Sequence, residues 1–111
     1  MDVDHIPSQA ALLRASEKLL GRPLIESEKR DLVSSAASIA IPQDVHRKCS
    51  ETYGGRNRLE KQIEDANDIE NAVDSNFDAI KDCLMNQGYS DKQLENARKE
   101  LHSINRANGW Y

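Results

Sequence analysis

Apolar side chains recur at helical spacing through the second half of the chain. Eight of them, each three or four positions from the next, are Leu59, Ile63, Ala66, Ile69, Val73, Phe77, Ile80 and Leu84. This spacing predicts one long amphipathic helix over residues 58–86. Ser90 and Gln93 then match a capping box, which predicts the start of a last helix. The inner face of that helix is formed by Leu94, Ala97, Leu101 and Ile104.

The first half of the chain predicts two shorter helices. Residues 8–20 combine a capping Ser8, a run of good helix formers and a terminating Gly21. A second helix is predicted over residues 27–38, beginning at Ser27. The Arg22-Pro23 dipeptide separates the two helices.

A short extended segment follows the second predicted helix. Ile39 and Ile41 alternate with small residues, and Pro42 disfavours the helical conformation at Ile41. Residues 42–58 look irregular or partly helical, with a turn at Gly54-Gly55. We therefore predict a mainly α fold, a compact bundle of about four helices with a central polar loop and at most one or two short strands.

The composition fits one small domain over residues 1–111. Apolar residues make up 38% of the chain and aromatic residues only 5%, which argues against a turn-rich β-sandwich or barrel. No apolar run approaches the ~20 residues of a transmembrane helix. The start of the chain has neither the basic nor the apolar region of a signal peptide. We expect no signal peptide and no stable membrane association.

Two cysteines, Cys49 and Cys83, are present. Their spacing matches no zinc motif, and two thiols do not form a disulfide framework. The simpler interpretation is two reduced thiols. The alternative is a single bridge that ties a loop to the long helix in a chain that passes through an oxidising compartment.

Charge is distributed unevenly along the chain. The formal net charge of −4 weighs against nucleic acid as a partner. However, residues 46–61 carry five basic side chains against two acidic ones, whereas residues 62–82 carry one basic side chain against seven acidic ones. A local basic patch can bind phosphates in a domain that is acidic overall.

Two of the three histidines lie outside the predicted regular elements. His5 follows Asp4, and His46 lies two residues after Asp44; each is near a proline. An imidazole can exchange protons near neutral pH or bind a metal. The third, His102, lies in the last predicted helix and is expected at its surface or rim.

The segment from Thr52 to Asn57, Thr-Tyr-Gly-Gly-Arg-Asn, is dense in varied polar groups. Such loops often carry function, and a glycine pair lets backbone N–H groups approach an anion. The structural alternative is a simple turn, with Asn57 as the N-cap of the long helix.

Three patches together resemble a known class of domains. They are Asp4-His5-Ile6-Pro7-Ser8, then Ile39-Ala40-Ile41-Pro42 with His46 four residues on, and the Thr52–Asn57 segment. The set resembles C-terminal nuclease-type toxin domains of bacterial polymorphic toxins, carried on contact-dependent inhibition, Rhs or type VI secretion proteins. The Asp-His-Ile-Pro element is also similar to the first motif of HNH-like nucleases.

The resemblance implies an endonuclease and a role for each residue. His5 would be the general base, Asp4 and His46 would hold a divalent metal such as Mg²⁺ or Zn²⁺, and Arg56 would stabilise charge on the phosphate. The remaining candidates for catalysis are Tyr53, Thr52 and Asn57, and those for substrate binding are Arg47, Lys48, Gly54, Gly55 and Arg58. DNA is the slightly favoured substrate.

A toxin enzyme that is not a nuclease stays open, although no nucleophile motif or Walker loop favours a particular one. Two further alternatives are more definite. In the first, two histidines, or one histidine with Tyr53, cleave tRNA or rRNA without a metal. In the second, the chain is a small acidic immunity or adaptor module whose residues 62–82 bind a basic partner. The toxin interpretation implies a larger secreted protein that delivers the domain, action in the cytoplasm of the target bacterium, and a cognate immunity protein as a partner.

Overall fold

The computed structural model describes all 111 residues. Its elements are β1 (Asp2–His5), α1 (Gln9–Leu20), α2 (Glu26–Ser35), β2 (Ser38–Ile41), α3 (Gln43–Cys49), α4 (Leu59–Asn67), α5 (Ile69–Asn86) and α6 (Asp91–Ala107). A 3₁₀ turn over Gly54–Arg56 lies between α3 and α4. The prediction of a mainly α fold with one or two short strands is confirmed, although there are six helices rather than about four.

The predicted helix 58–86 is wrong as a single element, because it is divided at Asp68. The backbone there is extended (φ −150°, ψ 85°), and the Asp68 carboxylate accepts a hydrogen bond from the Asn71 N–H at the start of α5. The apolar spacing does not reveal this break, because Asp68 falls between two apolar positions. A capping aspartate satisfies N–H groups at the new helix start that have no partner within the helix.

The two strands form one antiparallel pair in which Asp2 faces Ile41 and Asp4 faces Ile39. Side chains alternate between the faces of a strand, so Asp2 and Asp4 share one face of β1 while His5 lies on the other. The sequence pattern does not predict β1, because its four residues include only one apolar side chain. The predicted strand at Ile39–Ile41 lies within β2.

The core lies between the sheet, α3, α5 and α6. Its ten buried members are Ile6, Ala37, Ile41, Val45, Val73, Phe77, Ile80, Leu84, Leu94 and Leu101. A smaller cluster of Leu12, Ala15 and Ile69 lies where α1 packs near the start of α5. The long apolar stripe therefore divides: its α5 part is core, whereas Leu59 and Ile63 on α4 are about half exposed.

The ends of several helices match their sequence signals. Ser8 caps α1, Gly21 ends it in the left-handed conformation at φ 70°, and Ser90 with Gln93 forms the capping box of α6. The helix predicted over 27–38 covers 26–35 instead. There the Glu28 side chain accepts from the Ile25 N–H, so the helix begins one residue before Ser27.

Asn57 is not the N-cap of the following helix, contrary to the structural alternative above. Arg58 takes that position, and the Asn57 amide instead donates to the Ser8 hydroxyl at 3.2 Å. A contact with the start of α1, 49 positions away in sequence, therefore fixes Asn57.

The two cysteines form a disulfide, so the interpretation as reduced thiols is wrong. Cys49 ends α3 and Cys83 lies within α5, with their Cα atoms 6.6 Å apart. The bridge joins two helices rather than a loop and a helix.

No helix is both long and apolar enough to span a membrane.

Candidate functional site

The strongest polar cluster combines two aspartates of β1 with one histidine of α3. Asp2 Oδ2 lies 2.9 Å from His46 Nδ1, and Asp4 Oδ1 lies 3.6 Å from His46 Nε2. We call Asp2, Asp4 and His46 the Asp–His cluster. A carboxylate accepts hydrogen bonds only, so the His46 proton sits on Nδ1 and points at Asp2. In the neutral ring, the Nε2 lone pair then faces Asp4.

Strand alternation and the position of α3 assemble this cluster. Asp2 and Asp4 lie two residues apart on the same face of β1. On α3, Val45 enters the core, and the neighbouring His46 is directed over that face. At the end of the helix, Cys49 joins α3 to α5.

Asp4 is the most unusual carboxylate in the cluster. Its side chain is only 4% exposed, and its close partners are His46 and the Ser50 hydroxyl at 3.5 Å. Burial raises the pKa of Asp4 above its usual 3.8, and the interactions with His46 and Ser50 offset this only in part. A buried carboxylate with so few donors is costly for folding and is typical of functional sites.

Tyr53 and Arg56 lie next to the cluster. The Tyr53 ring packs edge-on against His46, with centroids 4.9 Å apart, and the Arg56 guanidinium lies 5.6 Å from the Tyr53 centroid. Arg56 also donates to the carbonyl oxygens of Ser50, at 2.6 Å, and Arg47. It thereby caps the C-terminal end of α3, and its remaining N–H groups are available for a phosphate.

The other candidates in the loop are spread around this centre. The Thr52 hydroxyl lies 3.3 Å from the Ser50 hydroxyl. Asn57 is held by Ser8, and its Oδ1 is buried without a hydrogen-bond partner. Five substrate-binding candidates are solvent exposed, namely Arg47, Lys48, Gly54, Gly55 and Arg58.

His5 is not brought together with His46. It lies on the opposite face of β1, and its Nε2 accepts a hydrogen bond from the Gln9 amide nitrogen at 3.1 Å. The ring is half-buried, and this burial lowers the pKa of His5 below its usual 6.5. The imidazole is therefore neutral near pH 7, as a general base requires, but a glutamine amide occupies its acceptor nitrogen.

Two features were missed by the sequence reasoning. The first is Asp2, for which the Asp-Val-Asp alternation would have been the signal, had β1 been recognised as a strand. The second is Glu51, one of whose oxygens accepts from Ser75 at 2.6 Å, Asn76 at 2.7 Å and Lys61 at 2.9 Å. Burial raises the pKa of Glu51, but these hydrogen bonds outweigh it and leave the pKa below its usual value.

The cluster offers two ligands of the kind a divalent metal binds. These are Asp4 Oδ1 and His46 Nε2, while Asp2 holds the other ring nitrogen as outer carboxylates do for metal-bound histidines. No group of three or more His, Cys, Asp or Glu side chains is arranged to hold a metal ion. Two protein ligands suit an ion such as Mg²⁺, which keeps several waters, better than a closed zinc site.

The comparisons with known proteins give one informative similarity. No family model and no solved structure matches the chain. The chain is 38% identical over 109 residues to the Deoxyribonuclease CdiA of Dickeya dadantii strain 3937. The match covers 98% of the chain but only 3% of that much longer protein. The chain is thus similar, along almost its whole length, to a small segment of a protein named as a deoxyribonuclease.

Proposed function

We propose that this chain is a nuclease domain that cleaves DNA and acts as an antibacterial toxin. The similarity to a deoxyribonuclease over 98% of the chain carries the proposal. The Asp–His cluster supports it, because it combines a buried carboxylate, an oriented imidazole and neighbouring basic side chains in one place.

The basic side chains beside the cluster are suited to hold the DNA backbone. Arg47, Lys48 and Arg58 are exposed and extend from the end of α3 and the start of α4. Arg56 already points two donors at the end of α3, so its position is fixed before substrate binds. Donors placed in advance stabilise charge developing on a phosphate without reorganisation.

His46 is the group that we assign to the chemistry. Because Asp2 fixes the proton on Nδ1, Nε2 is the nitrogen available either to accept a proton or to bind a metal. A divalent ion held by Asp4 and His46 would supply positive charge at the scissile phosphate. The two roles of Nε2 exclude each other. If Nε2 binds the ion, another group has to act as the general base; His5 would fill that role only if its Nε2 released the Gln9 amide and approached from the other face of β1.

We also propose that the domain belongs to a longer secreted protein that delivers it to the cytoplasm of a target bacterium, where a cognate immunity protein would block it. The chain spans only 3% of the relative named as a deoxyribonuclease, and this small share supports the proposal that the domain belongs to a longer protein. Expression without the partner should arrest bacterial growth. Harmless expression would instead favour a non-catalytic immunity or adaptor module.

The direct test is cleavage by the purified chain. Supercoiled plasmid DNA and total RNA are incubated separately with the protein in Mg²⁺ or Zn²⁺, with and without EDTA. We expect nicked and linear plasmid, intact RNA, and inhibition by EDTA. Cleavage of RNA that resists EDTA would establish the metal-independent ribonuclease instead, and no cleavage of either substrate would contradict the proposal.

His5→Ala and His46→Ala separate the two histidines in the same assay. Loss of activity in both variants supports a metal on His46 with His5 as base. Loss in His46→Ala alone supports proton transfer at His46 Nε2. Thermal unfolding of each variant checks that the protein remains folded.

A further inference from the structure

The Cys49–Cys83 disulfide lies next to the Asp–His cluster in the chain. Cys49 is the last residue of α3, three positions after His46 and directly before Ser50. His46 contacts Asp4 through its Nε2, and Ser50 contacts Asp4 through its hydroxyl. The bond therefore lies within the segment 46–50, whose two ends make both of these contacts with the buried carboxylate.

The other attachments of α3 are few. The helix has seven residues, and Val45 is its only buried side chain. Asp44 accepts from the Gln87 amide at 2.7 Å, and Arg56 binds carbonyl oxygens at the C-terminal end. A helix this short is not stable by itself in water. The bond to α5, whose buried face is part of the main core, is the only covalent cross-link between α3 and another helix.

The disulfide is also placed where a reductant can reach it. Both cysteines are only partly buried and lie at the edge of the main core rather than inside it. Thiol–disulfide exchange requires such access for the attacking thiolate.

We propose that Cys49–Cys83 is a thiol–disulfide exchange site that controls the position of α3 and, through it, the Asp–His cluster. The proposal rests on the nuclease function proposed above. The oxidised form is the active one. A dithiol reductant attacks one sulfur of the bond as a thiolate, which releases the other cysteine and forms a mixed disulfide with the first. The second thiol of the reductant then attacks the mixed disulfide and releases the remaining cysteine. Two electrons and two protons pass to Cys49 and Cys83, and the reductant leaves as a cyclic disulfide.

Reduction leaves α3 held by Val45 and a few hydrogen bonds. His46 then spends less time over Asp2 and Asp4, and the fraction of molecules with an assembled site falls. Because cytosol is a reducing compartment, the resistance of this bond to reduction sets how long the domain stays active after delivery.

The test compares oxidised protein, protein treated with dithiothreitol, and the Cys49→Ser/Cys83→Ser variant. Amide hydrogen exchange is measured along the chain, with α6 as the internal reference. We expect exchange in α3 to speed up at least about tenfold on reduction, with little change in α6. The melting temperature should fall by roughly 10 °C. Plasmid cleavage should fall at least about tenfold.

The double variant controls for other effects of the reductant, including metal chelation. It should behave as the reduced protein does, and dithiothreitol should not change it further. Unchanged exchange in α3 on reduction would overturn the proposal, as would faster exchange with unchanged cleavage. If neither form cleaves DNA, the nuclease function fails, while exchange in α3 still decides whether the bond holds the helix.

Discussion

Two aspartate–histidine pairs in the protein are joined at nearly the same hydrogen-bond distance, one through Nδ1 of His46 and the other through Nε2 of His102. Asp2 lies 2.9 Å from His46, and Asp74 lies 2.8 Å from His102. In the second pair, the Tyr111 hydroxyl occupies the remaining ring nitrogen at 2.5 Å. Burial raises the pKa of Tyr111 to about 12, so this hydroxyl stays protonated and donates a hydrogen bond to His102 Nδ1. In the first pair, the remaining nitrogen faces the Asp4 carboxylate at a distance too long for a hydrogen bond.

The surroundings of the two pairs differ as much as their partners do. Asp74 also binds Arg98 of α6, which pairs with Asp78 on α5 and with Glu95 on its own helix as well. We call Asp74, Arg98, His102 and Tyr111 the α5–α6 clasp. Both nitrogens of the His102 imidazole have a hydrogen-bond partner, and through these partners the clasp joins α5, α6 and the end of the chain. The difference between the two pairs is the second ring nitrogen: in His46 it has no hydrogen-bond partner, and the role proposed for His46 rests on that observation.

The largest expected effect is the loss of cleavage in His46→Ala. Removing a group that transfers protons or binds the metal should lower the cleavage rate at least about 100-fold. The matched control is His102→Ala, which removes the imidazole of the other pair and should keep cleavage near the original rate. Plasmid nicking rates measure both variants. Equal losses in the two variants would show that the comparison is wrong.

A smaller effect is expected for Asp2→Asn. The amide keeps the size of the side chain but no longer fixes the Nδ1–H tautomer of His46, so cleavage should fall about 10- to 100-fold. Asp74→Asn is the matched change in the clasp and should leave cleavage unchanged. An ¹⁵N NMR spectrum of the His46 ring reports the tautomer directly, and an unaltered Nδ1–H tautomer in Asp2→Asn would contradict the assigned role.

The clasp should instead affect stability, and with a defined pH dependence. Burial raises the pKa of Asp74, but the hydrogen bonds from His102 and Arg98 outweigh it, so this pKa lies below its usual 3.8. The stabilisation is therefore fully present above pH 3.8 and lost as the pH falls through the lower, folded-state pKa. Because Asp74 is 45% exposed, solvent screening limits the contribution to no more than about 1 kcal/mol.

Chemical unfolding of Asp74→Asn at pH 7 and pH 2.5 measures this contribution. The variant should be less stable than the original protein at pH 7, and the difference between the two should be smaller at pH 2.5. A difference in the free energy of unfolding that stays constant with pH would assign the loss to packing rather than to the charge.

The smallest expected effect is that of Arg56→Lys. Lysine keeps the positive charge, but its single nitrogen replaces the fixed fork of two nitrogens that reaches the Ser50 and Arg47 carbonyl oxygens, so the end of α3 should loosen. We expect a severalfold loss of cleavage and a destabilisation of about 1 kcal/mol. Arg58→Lys, at an exposed neighbouring position, should change neither quantity measurably. A larger effect in Arg58→Lys would place the phosphate contact there.

How far the sequence predicted the fold depends on the distance over which each signal acts. Ser8, Gly21 and the Ser90–Gln93 box fix helix ends through contacts within a few residues, and these predictions are confirmed. Asp68 acts just as locally, but it interrupts the apolar stripe without breaking its spacing. A capping residue hidden in a periodic pattern is hard to separate from an ordinary polar position on the outer face.

The candidate site could be predicted only in part. The sequence predicts a role for Asp4, His46, Tyr53 and Arg56, and the structure places these four residues in one region. Their chemical roles remain predictions. Asp2 was missed, and His5 was grouped with His46 although β1 holds it on its other face. Both errors have one cause, because the face of a side chain on β1 is known only once β1 is recognised as a strand.

The sequence by itself determined the helical character, the apolar face of α5 and α6, and the local concentration of basic charge before α4. These follow from spacing and from neighbours within one or two turns of helix. Tertiary structure alone decided that β1 pairs with β2, that Cys49 bonds Cys83, and that Asp2 lies against His46, 44 positions away. Such contacts require distant segments to be packed on a common core, and no local pattern records which segments meet.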